Sequence, residues 1–318
     1  MSRIRVGFIG AGNRARAYIH PTINDLADMA EVVAVCDLDV ARLNQCADSY
    51  GVTARFTDLH RMLAEVEIDA CLCISGPHQS LEMIMPCLRA GKHVLTEKPL
   101  GASSEQARQM AEAAQAHGCV TLVGFNRRYT PVIEHCRRLV AERGGPTQVV
   151  AEFHKYMLEM APYYDISIVI SDLIHSVDLV RHLMGDPEQV HSAVRRRYSD
   201  WDNVFNALLT FEGGAVAVLT ANRASGTRIE RFEIHGRGIA CYLLPPDRAE
   251  IWMDDEKEPT VVTGEELTGS QAHYVVYGCV EQSRHFFECI REGRQPMTSF
   301  TDATRSMRLC ETIERGTL

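Results

Sequence analysis

The sequence predicts an α/β chain in two parts. A doubly wound parallel sheet is expected over residues 1–124, and an α+β domain with an open, mainly antiparallel sheet over 125–318. Three observations carry this prediction. Short apolar runs alternate with helical stretches in the first part. Strand patterns follow one another with almost no helix between them in the second. The length of 318 residues, 46% of them apolar and 24% charged, suits about two globular domains.

In chain order, "IRVGFIG", "EVVAVCD" (31–37), "DACLCIS" (69–75), "KHVLTE" (92–97) and "VTLVGF" (120–125) are continuous apolar runs. Runs without polar alternation belong to strands covered on both faces. Helices are expected between them at about 13–29, 40–50, 78–90 and 103–117. After Gly124 a helix over 130–143 ends at Gly144-Gly145, and "TQVVAEFHKYM" reads as a long strand. The stretch "SDLIHSVDLVRHLMG" (171–185) repeats apolar residues at helical spacing and stops at Gly185. Strands at 188–199, 203–212, 215–224, 228–236 and 238–244 succeed each other directly, as in an antiparallel sheet. Helices at about 272–292 and 301–315 close the chain.

Charge narrows the partners. A net charge of −9 argues against nucleic acid and against an anionic membrane surface. The basic runs Arg127-Arg128 and Arg195-Arg196-Arg197 are short, and the second reads as a solvated face. No apolar run approaches the length of a membrane span, and no export signal is expected at the N-terminus. The eleven cysteines follow no disulfide framework and sit mostly inside apolar runs, which fits free thiols in a reducing cytoplasm. Cys71 and Cys73 share a strand face but are read as core residues, and no metal site is expected.

Chemistry enters at the strand ends. Gly10-Ala11-Gly12-Asn13-Arg14-Ala15 is a G-x-G-x-x-A turn between the first strand and the first helix. Gly10 permits the tight turn, Gly12 lets a pyrophosphate approach the backbone, and Ala15 is small enough for close helix packing. The helix start offers free N–H groups to phosphates, with Asn13 and Arg14 counted among the contacts. Asp37 ends the second strand, where a carboxylate accepts from a ribose 2′-OH. A glycine turn capping an ordinary helix would look similar; the placement of Asp37 favours the dinucleotide reading. Asp37 and Asp39 together repel a 2′-phosphate, so NAD is preferred to NADP.

In "VLTEKPLGAS" an apolar strand ends abruptly in Glu97-Lys98-Pro99. Ligands of doubly wound sheets bind at these carboxyl ends, where Ser75 also lies. Lys98 can bond a substrate hydroxyl and stabilise negative charge growing on its oxygen. Pro99 is a candidate for a cis bond. On the 171–184 helix, Asp172 and His175 share a face at i, i+3, the arrangement of an imidazole base oriented by a carboxylate. Asp178 and His182 form a second pair at i, i+4, and either pair could be a surface link.

The segments "GFIGAGNRA", "AGKHVLTEKPLG", "LVGFNRRYTP" and "DLIHSVDLVRHLMG" stand in the order and spacing of the glucose–fructose oxidoreductase/inositol dehydrogenase family (Gfo/Idh/MocA), which the whole chain resembles. The resemblance implies a Rossmann domain and a second domain whose open sheet makes an oligomer interface, giving a homodimer or homotetramer. It places the family lysine on Lys98 and the family histidine on His175, followed by Asp178; by their place at the strand end, Glu97 and Lys98 are also read as cofactor-side residues. The family's aspartate four residues before that histidine is Ser171 here, with Asp172 one place later, a rotation of about 100° on a helix. Where many relatives read Thr-Pro-Asn, this chain reads Ser75-Gly76-Pro77-His78.

The implied activity is reversible oxidation of a secondary alcohol of a sugar, cyclitol or related small molecule. His175 takes the hydroxyl proton, Lys98 holds the oxygen, and Asp172 orients His175 or binds a neighbouring hydroxyl. Tyr129, Tyr156, Tyr163, Tyr164 and Arg223 are candidate pocket residues. Two other readings stay open: an NAD(H)-binding sensor or regulator without turnover, and a reductase of a non-sugar C=O or C=N group.

Overall fold

The computed structural model describes residues 2–160, 162 and 165–317. Tyr163 and Tyr164 lie outside the described residues. The chain forms two compact units: Met1–Phe125 with Cys279–Arg305, and Asn126–Gly278 with Ser306–Leu318.

The first unit holds a six-stranded parallel sheet. Its strands are β1 (Ile4–Ile9), β2 (Ala30–Cys36), β3 (Arg55–Phe56), β4 (Ala70–Cys73), β5 (His93–Thr96) and β6 (Thr121–Val123). Their spatial order is β3-β2-β1-β4-β5-β6, so the chain reverses direction across the sheet between β1 and β4. The flanking helices are α1 (His20–Asp25), α2 (Val40–Tyr50), α3 (Leu59–Glu65), α4 (Pro77–Arg89) and α5 (Ser104–Ala116). The sequence reading missed β3 and α3, which are too short to show a period. The expected helix over 13–29 starts at residue 13, passes through a π-helical turn, Ala15–Ile19, and runs into α1, which ends at Asp25. α2, α3 and α5 start on Asp39, Asp58 and Ser103, whose side chains accept the first free N–H groups.

The C-terminal segment of the first unit begins with α10 (Cys279–Glu292), and α11 (Phe300–Arg315) starts there and ends in the second unit. Residues 279–305 therefore group with the nucleotide-type sheet, although they follow the antiparallel strands in sequence. Side-chain bonds explain this: Gln295 accepts from Thr121 N–H and donates to Cys119 C=O, and Thr121 Oγ1 accepts from Phe300 N–H.

The second unit is built on an eight-stranded sheet of β7 (Pro146–Tyr156), β8 (Gln189–Arg195), β9 (Val204–Thr210), β10 (Val216–Asn222), β11 (Ala224–Gly236), β12 (Ile239–Leu244), β13 (Arg248–Met253) and β14 (Thr260–Thr263). Its order is β14-β13-β12-β11-β7-β10-β9-β8. All neighbours pair antiparallel except β7 and β10, which run parallel. Besides the end of α11, this unit carries α6 (Pro131–Glu142), α7 (Ile174–Met184), α8 (Gly264–Thr268) and α9 (His273–Val276) among its described residues. The single helix expected over 272–292 breaks at Gly278, where φ is +81° and an added Cβ would meet the Tyr129 carbonyl oxygen at 2.6 Å. Only glycine tolerates both constraints.

Candidate active site

In the first unit, the turn after β1 lies at the switch point of the sheet, where doubly wound folds bind ligands. Gly10 sits at φ +87°, and its N–H donates to Cys36 C=O at 2.9 Å. A Cβ there would stand 2.1 Å from Ile74 C=O, so the backbone of β1 meets that of β4 with no room for a side chain. At Gly12 the same added atom meets nothing within 4 Å, leaving the backbone open to an incoming group. Asp37 closes the other side: Oδ2 accepts from Ala11 N–H at 2.6 Å and Oδ1 from Asp39 N–H at 2.8 Å. Arg42 Nε lies 3.8 Å from Asp37 and 3.3 Å from Asp39, so its charge is already opposed by two carboxylates. Ser75 Oγ, after β4, is buried with no hydrogen-bond partner among the described residues. An open glycine backbone, a carboxylate at the end of β2 and an unsatisfied hydroxyl after β4 fit a dinucleotide.

Asn13 is exposed and accepts from Arg16. Arg14 Nε donates to Glu97 Oε1 at 2.9 Å, and its guanidinium lies 4.0 Å from the centre of the Tyr18 ring. The buried Glu97 thus ties the phosphate turn to the end of β5, which explains a carboxylate at a strand terminus. Lys98 follows, half-buried, and the Lys98–Pro99 bond is cis.

In the second unit, Val169–Leu173 forms a π-helical turn that leads into α7. Ser171, Asp172 and His175 all lie on this stretch and are buried. Ser171 Oγ donates to Ser167 C=O at 2.9 Å. Both oxygens of Asp172 meet cations: Lys155 Nζ is 2.5 Å from Oδ1 and Arg223 Nη2 is 2.8 Å from Oδ2. His175 Nε2 lies 3.4 Å from Arg127 Nη1. A guanidinium only donates, so in this contact Nε2 carries the lone pair and the ring proton sits on Nδ1. Arg127 is itself held by two bonds to Glu230, of 2.9 and 3.0 Å, and by the Tyr277 ring 4.4 Å away. Burial alone would push the Glu230 carboxyl up. Arg127 and then Arg228 outweigh it and hold the group below its ordinary value.

The second candidate pair on α7 has a structural setting. Asp178 accepts from Arg128 Nε at 2.8 Å and from Ser306 Oγ at 2.6 Å. His182 is pushed down to about 4, chiefly by burial and then by Arg128. Tyr129 and Arg223 are buried, and Tyr156 is exposed. The sequence reading missed Lys155, Arg228, Glu230 and Tyr277, and gave Arg127-Arg128 no role. The available signals were that this arginine pair follows an apolar strand by a few residues and lies in the segment "LVGFNRRYTP".

Two family models match the chain, together over more than half of it. Residues 4–125 match the oxidoreductase family with an NAD-binding Rossmann fold, and 134–238 match the GFO/IDH/MocA C-terminal domain. Among curated relatives, D-apiose dehydrogenase of Paraburkholderia graminis is 27% identical, over 98% of this chain and 87% of its own length. Myo-inositol 2-dehydrogenase of Thermotoga maritima is 26% identical, over 96% and 94%. Among solved structures, a dehydrogenase from Chromobacterium violaceum superposes with a TM-score of 0.89 at 21% identity, covering 99% of this chain and 95% of that one. A levoglucosan dehydrogenase in complex with NADH and levoglucosan gives 0.86 at 19% identity, covering 99% and 97%. With its glycine turn, its Asp37 and the match of both halves, the chain belongs to the GFO/IDH/MocA family of NAD-binding oxidoreductases.

Proposed function

We propose that this protein oxidises, reversibly, a secondary alcohol of a sugar, cyclitol or related small molecule. The observation that carries the reading is the Gly10–Gly12 cradle closed by Asp37 in a chain of this family. Relatives named for apiose and myo-inositol support a polyol-type substrate. Gly10, Gly12, Asn13, Arg14, Asp37 and Ser75 hold NAD, with Glu97 fixing Arg14; bound NAD supplies the hydride acceptor. His175 Nε2 takes the hydroxyl proton, since its 3.4 Å contact with Arg127 is long enough to be shared with a substrate. Lys98 donates to a substrate hydroxyl and stabilises charge developing on its oxygen. Asp172 acts through Lys155, which it holds in place.

The test is kcat/KM of Lys98→Ala and His175→Ala on a substrate of the wild-type enzyme. Each is expected to lose about 10²-fold or more while NADH still binds. Near-normal rates in both would refute the roles. Ser171 in the family's aspartate position favours one second reading, an NAD(H)-binding sensor. Tight NADH binding with no turnover of any sugar, cyclitol or sugar acid would select it.

Self-association through the eight-stranded sheet belongs to the same reading. Register places His191, Leu208, Val218, Val150, Glu233, Tyr242, Glu250 and Val261 in one row across all eight strands. Leu208, Tyr242 and Val261 in that row are exposed. Exposed apolar residues on one sheet face suit a homodimer or homotetramer. Light scattering should show Leu208→Lys/Tyr242→Lys shifted to monomer; an unchanged mass for the variant excludes this face. All eleven cysteines are free and buried, which supports a reducing, cytoplasmic setting. No helix among the described residues is long and apolar enough to cross a membrane.

A further inference from the structure

Near His175 the second unit gathers more positive charge than it neutralises. Asp172 is shared by Lys155 and Arg223, and Glu230 by Arg127 and Arg228. Each carboxylate therefore faces two cations, and the cluster carries a surplus of positive charge. Three of the four cations crowd one ring: Lys155 Nζ, Arg223 Cζ and Arg228 Cζ lie 4.7, 4.6 and 5.5 Å from the centre of Phe153. Arg223 is 0% exposed, and its Nε has no hydrogen-bond partner among the described residues. Burial depresses both Lys155 and Arg223 below their ordinary values, and Asp172 offsets this only in part. Under-neutralised cations held out of water are unfavourable unless a further anion joins them.

The four cations are not equivalent. Arg127 and Arg223 are enclosed, whereas the Lys155 side chain is 17% exposed and that of Arg228 53%. Each reachable head shares its carboxylate with an enclosed one, Lys155 with Arg223 and Arg228 with Arg127, and Arg127 touches His175 directly. We propose that this cluster is a subsite for an oxyanion carried by the substrate, held by Lys155 and Arg228, so that the enzyme acts on an acidic sugar rather than a neutral polyol. Charge-assisted hydrogen bonds of this kind are about twice as strong as neutral ones, and a neutral substrate would leave the surplus unmet. The inference rests on the dehydrogenase reading above and deepens it.

The test uses the full-length enzyme saturated with NAD⁺ and follows NADH formation. The panel is D-gluconate, D-glucuronate and D-glucose 6-phosphate against D-glucose, D-sorbitol and myo-inositol. The best acid is expected to exceed the best neutral compound in kcat/KM by about 10²-fold. That ratio should fall by about tenfold in Lys155→Gln and in Arg228→Gln, mainly through KM of the acid. The carboxylates against the phosphate ester show which oxyanion the subsite takes. Neutral compounds oxidised as well as the acids, or a ratio unmoved in both variants, would overturn the subsite while leaving the dehydrogenase reading intact. If nothing reduces NAD⁺, the dehydrogenase reading fails and calorimetry on NADH-saturated protein decides. Binding of any of the three acids that is weakened in the variants supports the subsite, and absent or unweakened binding refutes it. Arg228 is half-exposed, so Arg228→Gln carries the test if Lys155→Gln does not fold.

Discussion

Replacing Arg127 by Met isolates the energetics of the buried network. The Arg127 and Glu230 side chains are each 5% exposed and share two bonds of 2.9 and 3.0 Å. Removing one member of a buried pair costs about 3–5 kcal/mol, because the other charge is left without compensation. Arg228 still reaches Glu230 at 2.9 Å from a half-exposed position, which places the loss near the lower end, about 3 kcal/mol. For a unit of this size that is a fall in Tm of roughly 6–12 °C. The loss should depend on pH, and its sign follows from Glu230. In the parent, the carboxyl is held below its ordinary value, so its contribution is present above about pH 4.5 and is lost as pH falls through the lowered value. In Arg127→Met the largest cause opposing burial is gone, so the carboxyl binds a proton more readily than in the parent. The variant's deficit should therefore be larger at pH 7 than at pH 5. Arg127→Met/Glu230→Gln, which removes both charges, should recover more than half of the loss at pH 7. Urea unfolding of the three proteins at the two pH values measures all of this. A deficit under about 1 kcal/mol, or one independent of pH, would refute the account.

Two further outcomes follow from the geometry. His182 is depressed to about 4, so the unfolded chain binds its proton first; parent stability should fall by up to about 3 kcal/mol as pH drops from 6.5 to 4. His182→Leu should flatten that limb in a pH series of urea unfolding, and an unaltered slope would discount the buried imidazole. Gly10→Ala must accept φ +87° and a Cβ 2.1 Å from Ile74 C=O. NADH binding, read by fluorescence, should weaken at least about tenfold, since left-handed backbone alone costs a non-glycine residue about 1–2 kcal/mol.

Much of the first unit was legible because its signals are local. Continuous apolar runs gave β1, β2, β4, β5 and β6, and the glycine turn with Asp37 gave the cradle within 28 residues, from Gly10 to Asp37. The gaps are equally physical. β3 spans two residues and α3 seven, too few to establish a period. β13, β14 and α8 were also missed, and the helix expected over 272–292 is broken after α9 by Gly278, whose positive φ and closeness to the Tyr129 carbonyl are set by the fold and not by any local period.

The sequence by itself determined the order of the longer elements, the strand-end positions of Gly10, Asp37, Ser75 and Lys98, and the helix that carries His175, because each depends on neighbours a few residues away. Only the tertiary structure decided what those charges meet. Arg127 finds Glu230 across 103 positions and Asp178 finds Ser306 across 128. Asp172 is claimed by Lys155 on β7 and by Arg223 just past β10, the two strands that run parallel side by side. Pairing of charge is set by sheet register and burial, and neither leaves a periodic trace along the chain.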